Sequence, residues 1–154
     1  MAIAVFAIAA LVSCNSEDSS TPSTSVAGLK APTPTPDISI VNGITHVVIH
    51  LSPTEGDGQV GTATFSTDGT TTTVEVSISP PATEAQPMHI HAGVCTDVGT
   101  VLHALQNVVK GSSTTIIDLS LEEITNDGAL VNVHAWYTDA STYTACGQLP
   151  DELQ

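Results

Sequence analysis

The sequence predicts an all-β domain, a Greek-key β-sandwich or flattened barrel. Two features of composition and one of pattern point there. Charged residues make up 12% of the 154 and aromatics 3%, so helices laced with ion pairs are not expected. Thr, Ser and Val abound instead, and Thr and Val suit a pleated, half-buried surface. Short alternating runs then recur, separated by turn residues, over roughly 110 residues with no internal repeat.

The runs follow in order. Across Ile44 to Leu51, the side chains of Val47, Ile49 and Leu51 share one face, and His46, Val48 and His50 share the other. Ser52 to Gly58 reads as a turn, rich in Pro, Asp and Gly. Val60 to Ser66 and Thr71 to Ser79 are strands joined through Asp68-Gly69, a hairpin signal. Met88 to Ala92 and Thr114 to Leu121 add two more. Ser120 with Glu123 has the form of a capping box, and Gly128 stops the short helix it opens. Leu130 to Trp136 and Thr142 to Leu149 complete seven strands. Thr100 to Lys110 fits an eighth strand or a short helix.

The fold does not begin at residue 1. Ala2 to Val12 is an almost unbroken apolar run, too short at about eleven residues to span a bilayer and the right size for a signal-peptide core. It ends in Leu11-Val12-Ser13-Cys14, which resembles a bacterial lipobox with Cys14 as the lipidated residue. An ordinary secretory signal is the alternative, and no basic residue precedes the run. Residues 15–36 carry Ser, Thr and alternating Pro, an extended spacer unable to bury a core. The acidic pair Glu17-Asp18 within it reads as solvated linker, or as a sorting signal. The division expected is signal peptide 1–14, linker 15–36 and folded domain 37–154, anchored outside the cytoplasm through its lipid.

The formal charge of −14, with Lys30 and Lys110 the only basic side chains, argues against nucleic acid and against a basic membrane-binding patch. Both require Lys and Arg to meet phosphate. No Gly-x-Ser-x-Gly, phosphate loop or dinucleotide fingerprint is present.

The chemistry gathers in two segments. In Met88-His89-Ile90-His91, strand alternation puts His89 and His91 on one face. Two adjacent imidazoles make half of a transition-metal site, since neutral ring nitrogens suit copper and zinc. In Val131-Asn132-Val133-His134, Val131 and Val133 share a face and His134 falls on the other with Asn132. If the two strands are neighbours, His134 supplies a third nitrogen. Cys95 and Cys146 are the cysteines left after Cys14; export favours a disulfide between them, and metal ligation is the alternative.

His89-Ile90-His91 with Gly93 and Cys95, then Val131-Asn132-Val133-His134, then Ala145-Cys146-Gly147-Gln148-Leu149, resemble the chordin-type (CHRD) domain and its relative, copper/zinc superoxide dismutase. The resemblance covers about Ile44 to Leu149, with specific motifs only after Gln86. It implies an eight-stranded Greek-key sandwich, copper on His89, His91 and His134, and the family disulfide at Cys95 and Cys146. The departures matter as much. His103 is the only histidine between His91 and His134, so the zinc-binding cluster of the dismutases is missing and zinc is not expected. Tyr143 stands where dismutases place an anion-guiding Arg, and an acidic surface slows an anionic substrate.

His103 is a candidate fourth copper ligand or an exposed polar residue. His46 and His50 lie about 13 Å apart along their strand, too far to chelate one ion, and are taken as partly exposed strand residues. Met88 would be a soft axial ligand if it faced His89, but alternation assigns it to the core. Asp139 is either a carboxylate that orients a ligand imidazole or an ordinary loop Asp, while Asp118, Glu122 and Glu123 read as solvated charges. Three functions follow: a lipid-anchored copper-binding domain for buffering, delivery or weak redox chemistry; a non-metal envelope or adhesion module; and a copper-only superoxide dismutase. The balance of these favours a non-enzymatic copper binder with no identified protein partner.

Overall fold

The computed structural model describes residues 34–55, 58–125, 128–136 and 139–151. The segment expected as a signal peptide, Cys14 and nearly all of the expected linker lie outside the described residues, as do the side chains of residues 139 and 140, Asp139 among them. The elements are β1 (Asp37–Val41), β2 (Ile44–Pro53), β3 (Val60–Thr67), β4 (Thr72–Ser79), β5 (Gln86–Val94), β6 (Asp97–Val108), β7 (Ser112–Ile117), α1 (Leu121–Thr125), β8 (Ala129–Trp136) and β9 (Asp139–Gln148). One antiparallel sheet runs β6-β5-β8-β9-β2-β3-β4-β7, with β1 paired to β2 off this path. Its two end strands approach each other. The Gln106 amide donates to Thr115 Oγ1 at 2.8 Å and Ser113 Oγ donates to the Gln106 carbonyl at 2.7 Å. The sheet thus nearly closes into a flattened barrel, the all-β architecture that composition and alternation predict.

Alternation fills the interior. Val47, Ile49 and Leu51 of β2, Ala63 and Phe65 of β3, Val74, Val76 and Ile78 of β4, and Met88 and Ile90 of β5 all point inward with Val131 and Val133 of β8. Leu121 and Ile124 bring α1 into the same core. A helix this short has little stability of its own, so it relies on that burial and on its cap. The cap is reciprocal: Glu123 N donates to Ser120 Oγ at 3.2 Å, and Ser120 N donates to Glu123 Oε2 at 2.9 Å. Those backbone and hydroxyl hydrogen bonds from Ser120 hold the Glu123 carboxyl below its usual range.

One strand goes beyond the sequence reading, and another settles its ambiguity. β1 was not expected as a strand; it forms a hairpin with β2 through Asn42-Gly43, both at positive φ (52° and 81°). That pair of left-handed residues is what a tight two-residue hairpin needs. Thr100 to Lys110 is not a helix: most of it belongs to β6, paired along β5. Its strand is interrupted by bulges between Gln86 and Met88, between Ile90 and His91, and between His91 and Gly93 of the partner. Each bulge resets the phase of alternation. Leu105 and Val108 are therefore both buried although three residues apart, a spacing that imitates a helix.

Candidate metal centre

The centre lies on the outer face of β5 and β8. Because Met88 and Ile90 are fully buried in the core, the residues between and after them, His89 and His91, must face outward. The antiparallel register sets His89 opposite Asn132 and Ile90 opposite Val131. Val131 and Val133 point inward, so Asn132 and His134 join the histidine face. The three imidazoles converge. Ring centroids are 4.9 Å apart for His89 and His134, 5.5 Å for His89 and His91, and 6.0 Å for His91 and His134. One ligand nitrogen from each lies within 4.8 Å of the others, and among the described residues this is the only such group of three His, Cys, Asp or Glu side chains.

The His91 tautomer leaves a lone pair where an ion needs it. His91 Nδ1 lies 3.0 Å from the Gly99 carbonyl, which can only accept, so Nδ1 carries the proton and Nε2 the lone pair. That Nε2 is buried and has no hydrogen-bond partner. A buried, unpaired acceptor is costly, and a cation on Nε2 relieves the cost. Gly99 brings its carbonyl this close because it lacks a side chain; a Cβ there would lie 2.8 Å from the Ala92 carbonyl oxygen. A carbonyl on the far nitrogen is the usual device for orienting a metal-binding imidazole. His89 Nδ1 and His134 Nε2 are hydrogen-bonded to each other at 2.9 Å; an ion would replace the proton they share, since two bonds of about 2.0 Å to one ion span that separation. Burial first, then the proximity of His134 and His91, holds the His89 pKa below the usual 6.5, favouring the neutral form that ligates. The residues present fit a divalent ion that prefers nitrogen.

Other groups hold the centre in place. Tyr143, opposite His134 in β9, packs against the imidazole in an edge-to-face arrangement with centroids 5.0 Å apart. Gln86 Nε2 donates to the His134 carbonyl at 2.9 Å and to Gln59 Oε1 at 2.7 Å, while Gln59 Nε2 donates to the Pro80 carbonyl at 2.6 Å. This buried carboxamide pair fixes the β8 backbone where its pairing with β9 shifts register, between Val133 and His134. Neither glutamine stood out in the sequence, since nothing local distinguishes a buried Gln from a loop Gln. The Cys95–Cys146 disulfide, with Cα atoms 5.8 Å apart, ties the end of β5 to β9 across β8. Gln148 Nε2 reinforces the tie by donating to the Gly93 carbonyl at 3.2 Å. The cysteines are thus joined to each other rather than turned to the histidines, and a disulfide is compatible with an extracytoplasmic location.

The remaining candidates stand apart. His103 pairs with Ile90, which puts it on the opposite face of the sheet from the three histidines, and it does not belong to their group. The geometry does not bring His103 to the site as a fourth ligand: pairing runs in register from Met88–Leu105 through His89–Ala104 to Ile90–His103, so plain alternation gives His103 the face of Ile90. His46 Nδ1 lies 2.8 Å from Ser66 Oγ, and His50 is exposed. Met88 is core.

Fold and site together define a nearly closed antiparallel β-barrel carrying a three-histidine centre on its outer wall. Compared with known proteins, the chain matches no family model, no curated protein and no solved structure.

Proposed function

We propose that this protein is a lipid-anchored, extracytoplasmic domain of the CHRD and superoxide dismutase-like kind that binds copper through His89, His91 and His134, for buffering, delivery or weak redox chemistry. The observation that carries this reading is the lone pair of His91 Nε2, buried without a partner beside two more imidazole nitrogens. Copper is preferred to zinc because a set built from imidazoles alone gives the tighter site to copper in the usual divalent order. When bound, copper would supply one-electron chemistry. The protein's own contribution is to hold three neutral imidazoles in register and to orient one of them through the Gly99 carbonyl. Fast superoxide turnover is not part of the proposal. Tyr143 offers no cationic guide, and the chain's charge of −14 opposes an approaching anion.

The test is competitive dialysis of the full chain, disulfide intact, against copper and zinc, followed by a superoxide assay of the loaded protein. One retained copper per chain with slow or absent turnover is expected. Retention of zinc in preference to copper, or of neither, would overturn the reading; rapid turnover abolished by chelation would favour a copper-only dismutase instead.

A further inference from the structure

The Asn132 side chain has no exposed surface, yet neither its Oδ1 nor its Nδ2 has a hydrogen-bond partner. Among the described residues, the buried side-chain polar atoms without partners belong to two residues only, Asn132 and His91. Both sit on the histidine face. The coincidence has a simple topological origin. Asn132 is the cross-strand partner of His89 on one side and of Cys146 on the other, and it precedes His134 by two residues on the same face of β8. Directly opposed residues on neighbouring strands have Cα atoms about 4.5–5.5 Å apart. The carboxamide therefore leaves the sheet on the same face as His89, His134 and Cys146, and the Cys146 sulfur, already committed to the disulfide, is at best a weak acceptor.

An uncompensated buried amide costs on the scale of a lost hydrogen bond or more. Valine or leucine would fill such a place in a β-strand without that cost. The position thus carries a polar group that the barrel itself does not use, beside a cluster of nitrogen donors with a lone pair in the same condition.

We propose that Asn132 is the fourth ligand of the three-histidine centre, its carboxamide oxygen completing a set of three nitrogens and one neutral oxygen around the ion. This rests on the metal-binding reading above and adds a residue to it. A neutral oxygen donor leaves the charge of the site unchanged and favours copper(II) over copper(I), because oxygen is harder than imidazole nitrogen. Among the described residues, the group contains no fourth His, Cys, Asp or Glu, and a carboxamide oxygen would fill that place.

The test compares the full chain with Asn132→Val, Asn132→Ala and Asn132→Asp, using copper(II) titrated against a chelator of known affinity, the copper(II) electron paramagnetic resonance spectrum, and urea unfolding of the metal-free proteins. Removing the carboxamide is expected to weaken copper(II) binding roughly tenfold to a hundredfold and to change the spectrum. Metal-free Asn132→Val should be at least as stable as the parent. Asn132→Asp, which keeps an oxygen in place, should restore the affinity. The alanine variant carries the comparison if the valine variant does not fold. Copper binding by the parent, with unchanged affinity and spectrum in Asn132→Val or Asn132→Ala, overturns the assignment to Asn132 alone. Failure of the parent to bind copper overturns the histidine site and this inference with it.

Discussion

Replacing His91 by alanine is expected to lower copper affinity by roughly a hundredfold or more, with little loss of stability. The imidazole is 4% exposed, and such burial would normally make truncation expensive. Here the side chain makes one hydrogen bond, to the Gly99 carbonyl, while its other nitrogen is buried unpaired. Truncation removes the bond and the unpaired acceptor together, and these opposing effects leave a net change of about 1 kcal/mol. The metal site has no such compensation, because His91 Nε2 is the nitrogen already stripped of water. Chelator competition measures the affinity, and urea unfolding of the metal-free variant measures the stability. His103→Ala is the matched control. With its side chain on the opposite face, it should leave copper affinity unchanged, whereas equal losses in the two variants would contradict the assignment of the site.

The second large effect is on stability. Cys95 and Cys146 are separated by 51 positions, and opening a loop of that length returns chain entropy to the unfolded state worth about 4 kcal/mol. Cys95→Ser/Cys146→Ser should therefore lower the urea midpoint by that equivalent, a large share of the 5–15 kcal/mol typical of a domain. The loss should extend to the site. The disulfide holds the segment after His91 against β9, and Gln148 then adds its bonds to the Gly93 and Ala129 carbonyls. Copper affinity in the double variant should fall as well, even though neither cysteine ligates. A double variant that unfolds with the parent's midpoint would show that the bridge constrains little.

How much of this was legible in the sequence depends on where alternation survives. β2, β3 and β4 pair with one another in unbroken register, and there the period of two reads directly onto the core face. β5 and β8 pair with each other in unbroken register as well, so alternation alone puts His89 and His91 on one face and adds His134 once the two strands are neighbours. β6 defeats the rule because its bulges let Leu105 and Val108 face inward together, and a bulge depends on the partner strand rather than on local sequence. β1 is legible too: Asn42-Gly43 is the strongest short hairpin signal there is, and it implies a strand over the residues before it, at the start of the folded domain.

The site was legible only as far as its ligand chemistry. Histidine and cysteine announce themselves by type. Gln59, Gln86, Gly99 and Asn132 do not, because what distinguishes each is the neighbour the barrel gives it: a carbonyl at a register shift for Gln86, an imidazole for the Gly99 carbonyl, and for Asn132 no partner at all. Such roles follow from tertiary register, which a single sequence specifies without displaying.

The central claim is that His89, His91 and His134 together hold one ion. Copper-edge X-ray absorption of the copper-loaded full chain tests it most directly. The account predicts one copper per chain with three imidazole nitrogens at about 2.0 Å and no sulfur neighbour. A sulfur scatterer, or copper carrying fewer than three imidazoles, would contradict it.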